Sequence, residues 1–167
     1  MREKYKWSLA IGYTLLIYVT LPFMRGWLNF LRKFFGNSGF SGFVNFFLLL
    51  VFLAVLFFLK KSLKKIFIFV LISSVFFVFV KNLEIPEERI HFFEYALLGF
   101  LFADACFSTF VEEKKKILFA LLISISAGIV DELLQGILPT RYFDWRDILF
   151  NAVAGTGGVF IRKWIFA

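Results

Sequence analysis

The sequence predicts an all-α, polytopic transmembrane helical bundle, and three observations carry that reading. Of the 167 residues, 60% are hydrophobic and 22% aromatic, an excess that an ordinary soluble domain does not carry. Uncharged stretches recur, at Trp7 to Met24, Phe34 to Leu59, Ile66 to Val80 and Ile117 to Val130. They also lack the polar face that a soluble helix turns to water.

Roughly 20 apolar residues cross a hydrocarbon core of about 30 Å as a helix. Six helices fit, at about 7–24, 43–59, 64–81, 89–110, 116–137 and 146–163, with five as the alternative. Met1 to Lys6 precede the first, and no small-x-small cleavage site follows, so it reads as an uncleaved span rather than a secretory signal. After Pro22 and Arg25, the residues Trp27, Phe30, Leu31 and Phe34 fall near helical spacing, with Arg25, Arg32 and Lys33 elsewhere. That pattern predicts a short helix lying in the interface, and Gly36 to Gly42 read as the breaker after it. The third helix is short, but Lys64, Lys65 and Lys81 can snorkel at its ends. Pro86 followed by Glu87 and Glu88 opens the fourth, where proline fits the first turn and carboxylates face the positive dipole end.

Counting Lys and Arg with the N-terminus cytoplasmic puts twelve inside and seven outside. The bias predicts an integral cytoplasmic-membrane protein with both termini inside. The +7 charge sits in loops beside the apolar spans, which points to membrane headgroups and away from nucleic acid. The 27 phenylalanines read as apolar filler. Cys106 stands alone, so an intrachain disulfide and a cysteine-based metal site are both excluded.

Ionisable groups inside a bilayer are expensive and default to a functional hypothesis. Here they concentrate in Pro86 to Gly99 and Asp131 to Gly155, which this topology brings to one outer-leaflet end. On the fourth helix His91, Glu94, Tyr95 and Leu98 share a face. His91 is the only histidine, and its ordinary pKa range suits a proton acceptor. On the fifth, Gly128, Asp131, Glu132 and Gln135 share a face. Two adjacent carboxylates there need a cation or a proton, and Arg141 and Arg146 are the expected partners. On the sixth, Asp147 and Asn151 lead into Ala154, Gly155 and Gly158, small residues that let helices approach closely in lipid. Asp104 stands apart, about 20 Å along the axis from His91.

These residues form a pattern. H-x-x-x-Y-x-x-x-G, E-x-x-Q-x-x-x-P-x-R and D-x-x-x-N-x-x-x-G, carried by His91, Tyr95, Gly99, Glu132, Gln135, Pro139, Arg141, Asp147, Asn151 and Gly155, resemble the VanZ-like family of bacterial membrane proteins. Glu88-Arg89 stands where the family usually has an acidic-Lys pair, and the first 80 residues match only in being hydrophobic. The resemblance implies a single envelope domain, 1–167, with its motifs in 86–160. Its founding member is associated with low-level resistance to the glycopeptide teicoplanin, and the family supplies no established reaction.

Three functions compete. The first is a site for an anionic headgroup, that of a membrane lipid or an undecaprenyl-linked cell-wall intermediate. Arg89, Tyr95, Gln135, Arg141, Arg146, Asp147 and Asn151 would form it. The second is an enzyme acting on a lipid-linked phosphate, with His91 as base or nucleophile and Glu132 orienting it. The third is a structural or partner protein whose polar cluster only joins helices. Metal assistance to such an enzyme by Asp131, Glu132, Asp147 and His91 stays open, but no familiar metal-ligand spacing is present, so no metal or other cofactor is expected. A transporter is least favoured, because the bundle is thin and no inverted repeat is visible. A homo-oligomer would relax that objection.

Overall fold

The computed structural model describes residues 2–81, 83, 86–139 and 141–166, of which the side chains of Arg2 and Glu87 are left aside. The described residues form five helices and no strand: α1 (Arg2–Leu59), α2 (Leu63–Val80), α3 (Pro86–Thr109), α4 (Glu113–Ile137) and α5 (Trp145–Ile165). Four of them, α1 to α4, are long and apolar enough to cross a membrane. This makes the chain a multi-pass membrane protein. The fifth helix carries Arg146, Asp147, Arg162 and Lys163 and falls outside that group, although a sixth span was expected at 146–163. Its apolarity is lowered by those charges and by Asn151, Thr156 and three glycines; Asn151, Ala154, Gly155, Gly157, Gly158, Val159 and Ile165 are buried.

The first two expected spans and the interfacial helix are joined in α1. A straight helix of its length would run about 87 Å, far beyond one crossing. It is broken at Gly36, which takes φ 71° and ψ 165° and is the only positive-φ residue among those described. The break is one residue wide, where the sequence suggested seven. Asn37 to Gly42 resume the helix because only Gly36 leaves helical geometry. The left-handed region is open to glycine and strained for a side chain, so Gly36→Ala is expected to cost about 1 kcal/mol, read as a lowered thermal midpoint in detergent. Pro22 sits within α1 without ending it. The Thr20 hydroxyl, just before it, donates to the carbonyls of Leu16 and Ile17.

The chain divides into two compact units, 24–90 in one and 2–23 with 91–166 in the other. In the first, Leu28, Phe40 and Val44 form a core with Met24, Leu31, Leu48 and Ile90 around it. Trp27, Phe30 and Phe34 stay exposed, along with Phe57, Phe58, Phe67 and Phe77, as lipid-facing side chains should. Ser62 caps α2 by accepting from the Lys65 amide.

In the second unit, small residues set the helix spacing. A Cβ on Gly99 would meet the Gly155 carbonyl, and one on Gly158 would meet the Ala96 carbonyl, so α3 and α5 touch backbone to backbone. A Cβ on Gly155 would meet the Ser124 hydroxyl of α4. Beneath this contact Ala103, Cys106, Ala120 and Val159 are buried together. Asp104, isolated in the sequence, is an ion-pair node: its Oδ1 is 2.6 Å from Arg162 Nε and its Oδ2 3.0 Å from Lys6 Nζ. It ties α3 to α5 and α1, and Trp7 donates to Thr109 nearby at 2.9 Å.

Candidate functional site: a buried polar cluster on α3, α4 and α5

The helical repeat places Asp131, Glu132 and Gln135 on the inner side of α4, and all three are buried. Asp131 and Glu132 are 0% exposed. Gln135 answers both with one amide. Its Nε2 donates to Asp131 Oδ2 at 2.9 Å and to Glu132 Oε1 at 2.8 Å, the i−4 and i−3 neighbours a helical side chain can reach. The other Glu132 oxygen accepts from the backbone N–H of Asp144 at 3.2 Å. Asp144 in turn caps α5, accepting from the Arg146 amide.

His91 of α3 lies between two carboxylates. Its Nδ1 is 3.4 Å from Glu94 Oε2 and its Nε2 is 3.3 Å from Asp131 Oδ2. The Tyr95 ring meets the imidazole edge-on at a centroid distance of 5.0 Å. Tyr95 and Asn151 also close over Gly128, where an added Cβ would lie 2.9 Å from Asn151 Cβ and 3.4 Å from Tyr95 Cε1. Glycine is needed there so that α3, α4 and α5 can meet one turn from Asp131.

Several sequence expectations change in detail. The partners of the buried carboxylates are His91, Gln135 and a backbone amide. Among the described residues neither Arg141 nor Arg146 forms an ion pair with them; the buried inner face of α4 turns the acids to His91, Gln135 and the Asp144 amide instead. The carboxylate on His91 Nε2 is Asp131, while Glu132 faces Gln135 and Asp144. Arg89 is engaged elsewhere, donating to the Leu83 carbonyl from Nε and Nη2, and to Asn45 and Ser41 from Nη1. Asp147 lies within electrostatic reach of Glu132 and His91. The sequence passed over Tyr18, which brings α1 to this unit by donating to the Ala127 carbonyl at 2.8 Å. A tyrosine inside an apolar span, with a hydroxyl that needs a partner, was the available signal.

Burial leaves a set of polar atoms unanswered. His91 Nε2, Tyr95 Oη, Ser124 Oγ, Asp131 Oδ1, Arg141 Nε and both amide atoms of Asn151 are buried without a hydrogen-bond partner. Such groups are uncommon in folded proteins and call for a partner. All but Arg141, which lies between α4 and α5, are on the helices that carry His91, Asp131 and Asn151.

No curated protein and no solved structure matches the chain. A family model described as VanZ/LLP1 matches residues 80–166, just over half of it, and spans every element of the cluster from α3 to α5. On that match, joined to the His91–Tyr95–Gly99, Glu132–Gln135–Arg141 and Asp147–Asn151–Gly155 pattern, the chain belongs to the VanZ/LLP1 family.

Proposed function

We propose that this VanZ-like membrane protein binds the anionic headgroup of a membrane lipid, or of an undecaprenyl-linked cell-wall intermediate, at the α3–α5 polar cluster. One observation carries the reading. Arg141 is not spent on the buried carboxylates, and its Nε is buried without a partner. A guanidinium held in that state suits a phosphate, which it can grip through two parallel hydrogen bonds. The unpartnered amide of Asn151 and hydroxyl of Tyr95 supply further hydrogen-bonding groups. The excess of Lys and Arg on the opposite loops supports a cluster on the outer face, with both termini cytoplasmic. Reduced glycopeptide susceptibility would then follow from handling of envelope lipid.

The test is mass spectrometry of lipid co-purifying with wild type and with Arg141→Ala, with thermal stability measured alongside. The expected result is an anionic lipid enriched in wild type and reduced about tenfold in a still-folded variant, as loss of one charge-assisted contact implies. Equal lipid content in both proteins would overturn the reading. A second reading, an enzyme acting on the same lipid phosphate, is favoured by His91, whose two ring nitrogens face Glu94 and Asp131 as in an acid–base relay.

A further inference from the structure

We propose that His91, Asp131 and Glu132 form a binding site for one divalent transition-metal ion. Each offers one ligand atom, and the three atoms lie within 4.8 Å of one another. His91 Nε2 and Asp131 Oδ2 are 3.3 Å apart, the separation of two ligands on a common ion when each bond is about 2.1 Å.

The imidazole is already oriented for this role. Its far nitrogen, Nδ1, meets Glu94 Oε2 at 3.4 Å. A carboxylate on the far nitrogen fixes the tautomer and makes Nε2 a better ligand, the usual outer partner of a metal-bound histidine. Gln135 orients the carboxylates in the same way, donating to Asp131 Oδ2 and Glu132 Oε1, each of which keeps a lone pair for an ion, while Asp131 Oδ1 has no hydrogen-bond partner.

The unpartnered atoms give a separate reason. Asp131 Oδ1 and the Tyr95 hydroxyl are buried without hydrogen bonds, His91 Nε2 has only the 3.3 Å contact to Asp131 Oδ2, and Asp131 and Tyr95 are 0% exposed. Tyr95 stands against the His91 ring and within electrostatic reach of Asp131. Three such atoms at one place need a shared partner. Charge asks for the same thing. Glu94, Asp131 and Glu132 are gathered around a single imidazole, and among the described residues no Arg or Lys pairs with any of the three. A doubly charged ion balances the buried pair, for which the chain itself supplies only the one imidazole.

The ligand set names the class of ion. One imidazole with two carboxylates suits zinc, manganese or ferrous iron, whereas calcium and magnesium favour all-oxygen sets and cuprous copper favours sulfur. Three protein ligands leave a coordination position open, which a water or a phosphate oxygen would fill. That last step rests on the headgroup reading, but the ion itself does not.

The test is a titration of purified, chelator-stripped protein in detergent with Co²⁺, followed by visible absorption and thermal stability, with Zn²⁺ as competitor. Wild type should saturate at a single equivalent, melt at a higher temperature with the metal, and lose the spectrum to Zn²⁺. Asp131→Asn and His91→Ala should lose the band, while Arg141→Ala should keep it even if its lipid is gone. Folded wild type that binds no equivalent of Co²⁺, or a band undiminished in Asp131→Asn, would overturn the site. Where a variant does not fold, the wild-type titration decides alone. Absence of enriched lipid from a wild type that binds Co²⁺ would sink the headgroup reading and leave the metal site standing.

Discussion

Gly158→Ala is expected to cost about 3 kcal/mol, the upper end for overpacking a close interface, and to leave little monodisperse protein after extraction. The added methyl would be driven into the Ala96 carbonyl, with the Phe100 amide nitrogen 2.8 Å away and the Ala96 carbonyl carbon 2.9 Å away. All of these are backbone atoms of α3, so no rotamer change relieves the clash, and α5 must move away as a unit. Moving it also opens the Gly99–Gly155 contact on the same interface and draws Asn151 off Gly128. The matched control is Gly12→Ala in α1, where nothing lies within 4 Å of the new methyl. There the change should be neutral or slightly stabilising, since alanine favours the helix by roughly 1 kcal/mol over glycine. Thermal melts of the two variants in one detergent would check the contrast. Equal midpoints would mean that the α3–α5 contact is looser than the backbone spacing requires.

Gln135→Leu is expected to destabilise by about 3–5 kcal/mol, the range for stripping a partner from buried charge. The side chains have similar size, so packing is nearly held and the loss is electrostatic. One amide nitrogen serves both Asp131 and Glu132, and its removal leaves Glu132 with the Asp144 amide alone and Asp131 with only the imidazole at 3.3 Å. Removing the acids along with the amide should recover much of the loss, because the triple change Asp131→Leu, Glu132→Leu, Gln135→Leu leaves no buried carboxylate on α4. Urea or thermal unfolding of the single and triple variants would measure this. A single variant as stable as wild type would show that the pair is held by something other than Gln135.

Both sites are partly legible in the amino-acid sequence. The small residues of the last helix were legible because their spacing has one use in lipid, close approach, and Gly155 and Gly158 fulfil it. Gln135 was legible as a partner on the face of Asp131 and Glu132, since i, i+3 and i+4 positions are neighbours on any helix. The partner across helices was not. Arg141 and Arg146 looked like the natural cations for the acid pair by proximity in sequence. The fold chose His91, some forty residues away, because α3 packs directly beside the buried face of α4. For the same reason Asp104 looked isolated when its ions, Lys6 and Arg162, lay at opposite ends of the chain.

By itself the sequence determined that this chain is helical, lies in a membrane, and concentrates its polar residues in two stretches of the family pattern. Those properties follow from composition and helical periodicity, which are local and survive any arrangement of the helices. Tertiary structure decided that α1 breaks at one glycine, that the small residues of α5 pack against α3 and α4, and that Asp131 rather than Glu132 faces His91. Each depends on which helix faces meet, and in a nearly uniform apolar chain many pairings bury similar area. The pairing is selected by where backbones can touch and where a buried carboxylate can find a donor, and both are known only once the helices are placed together.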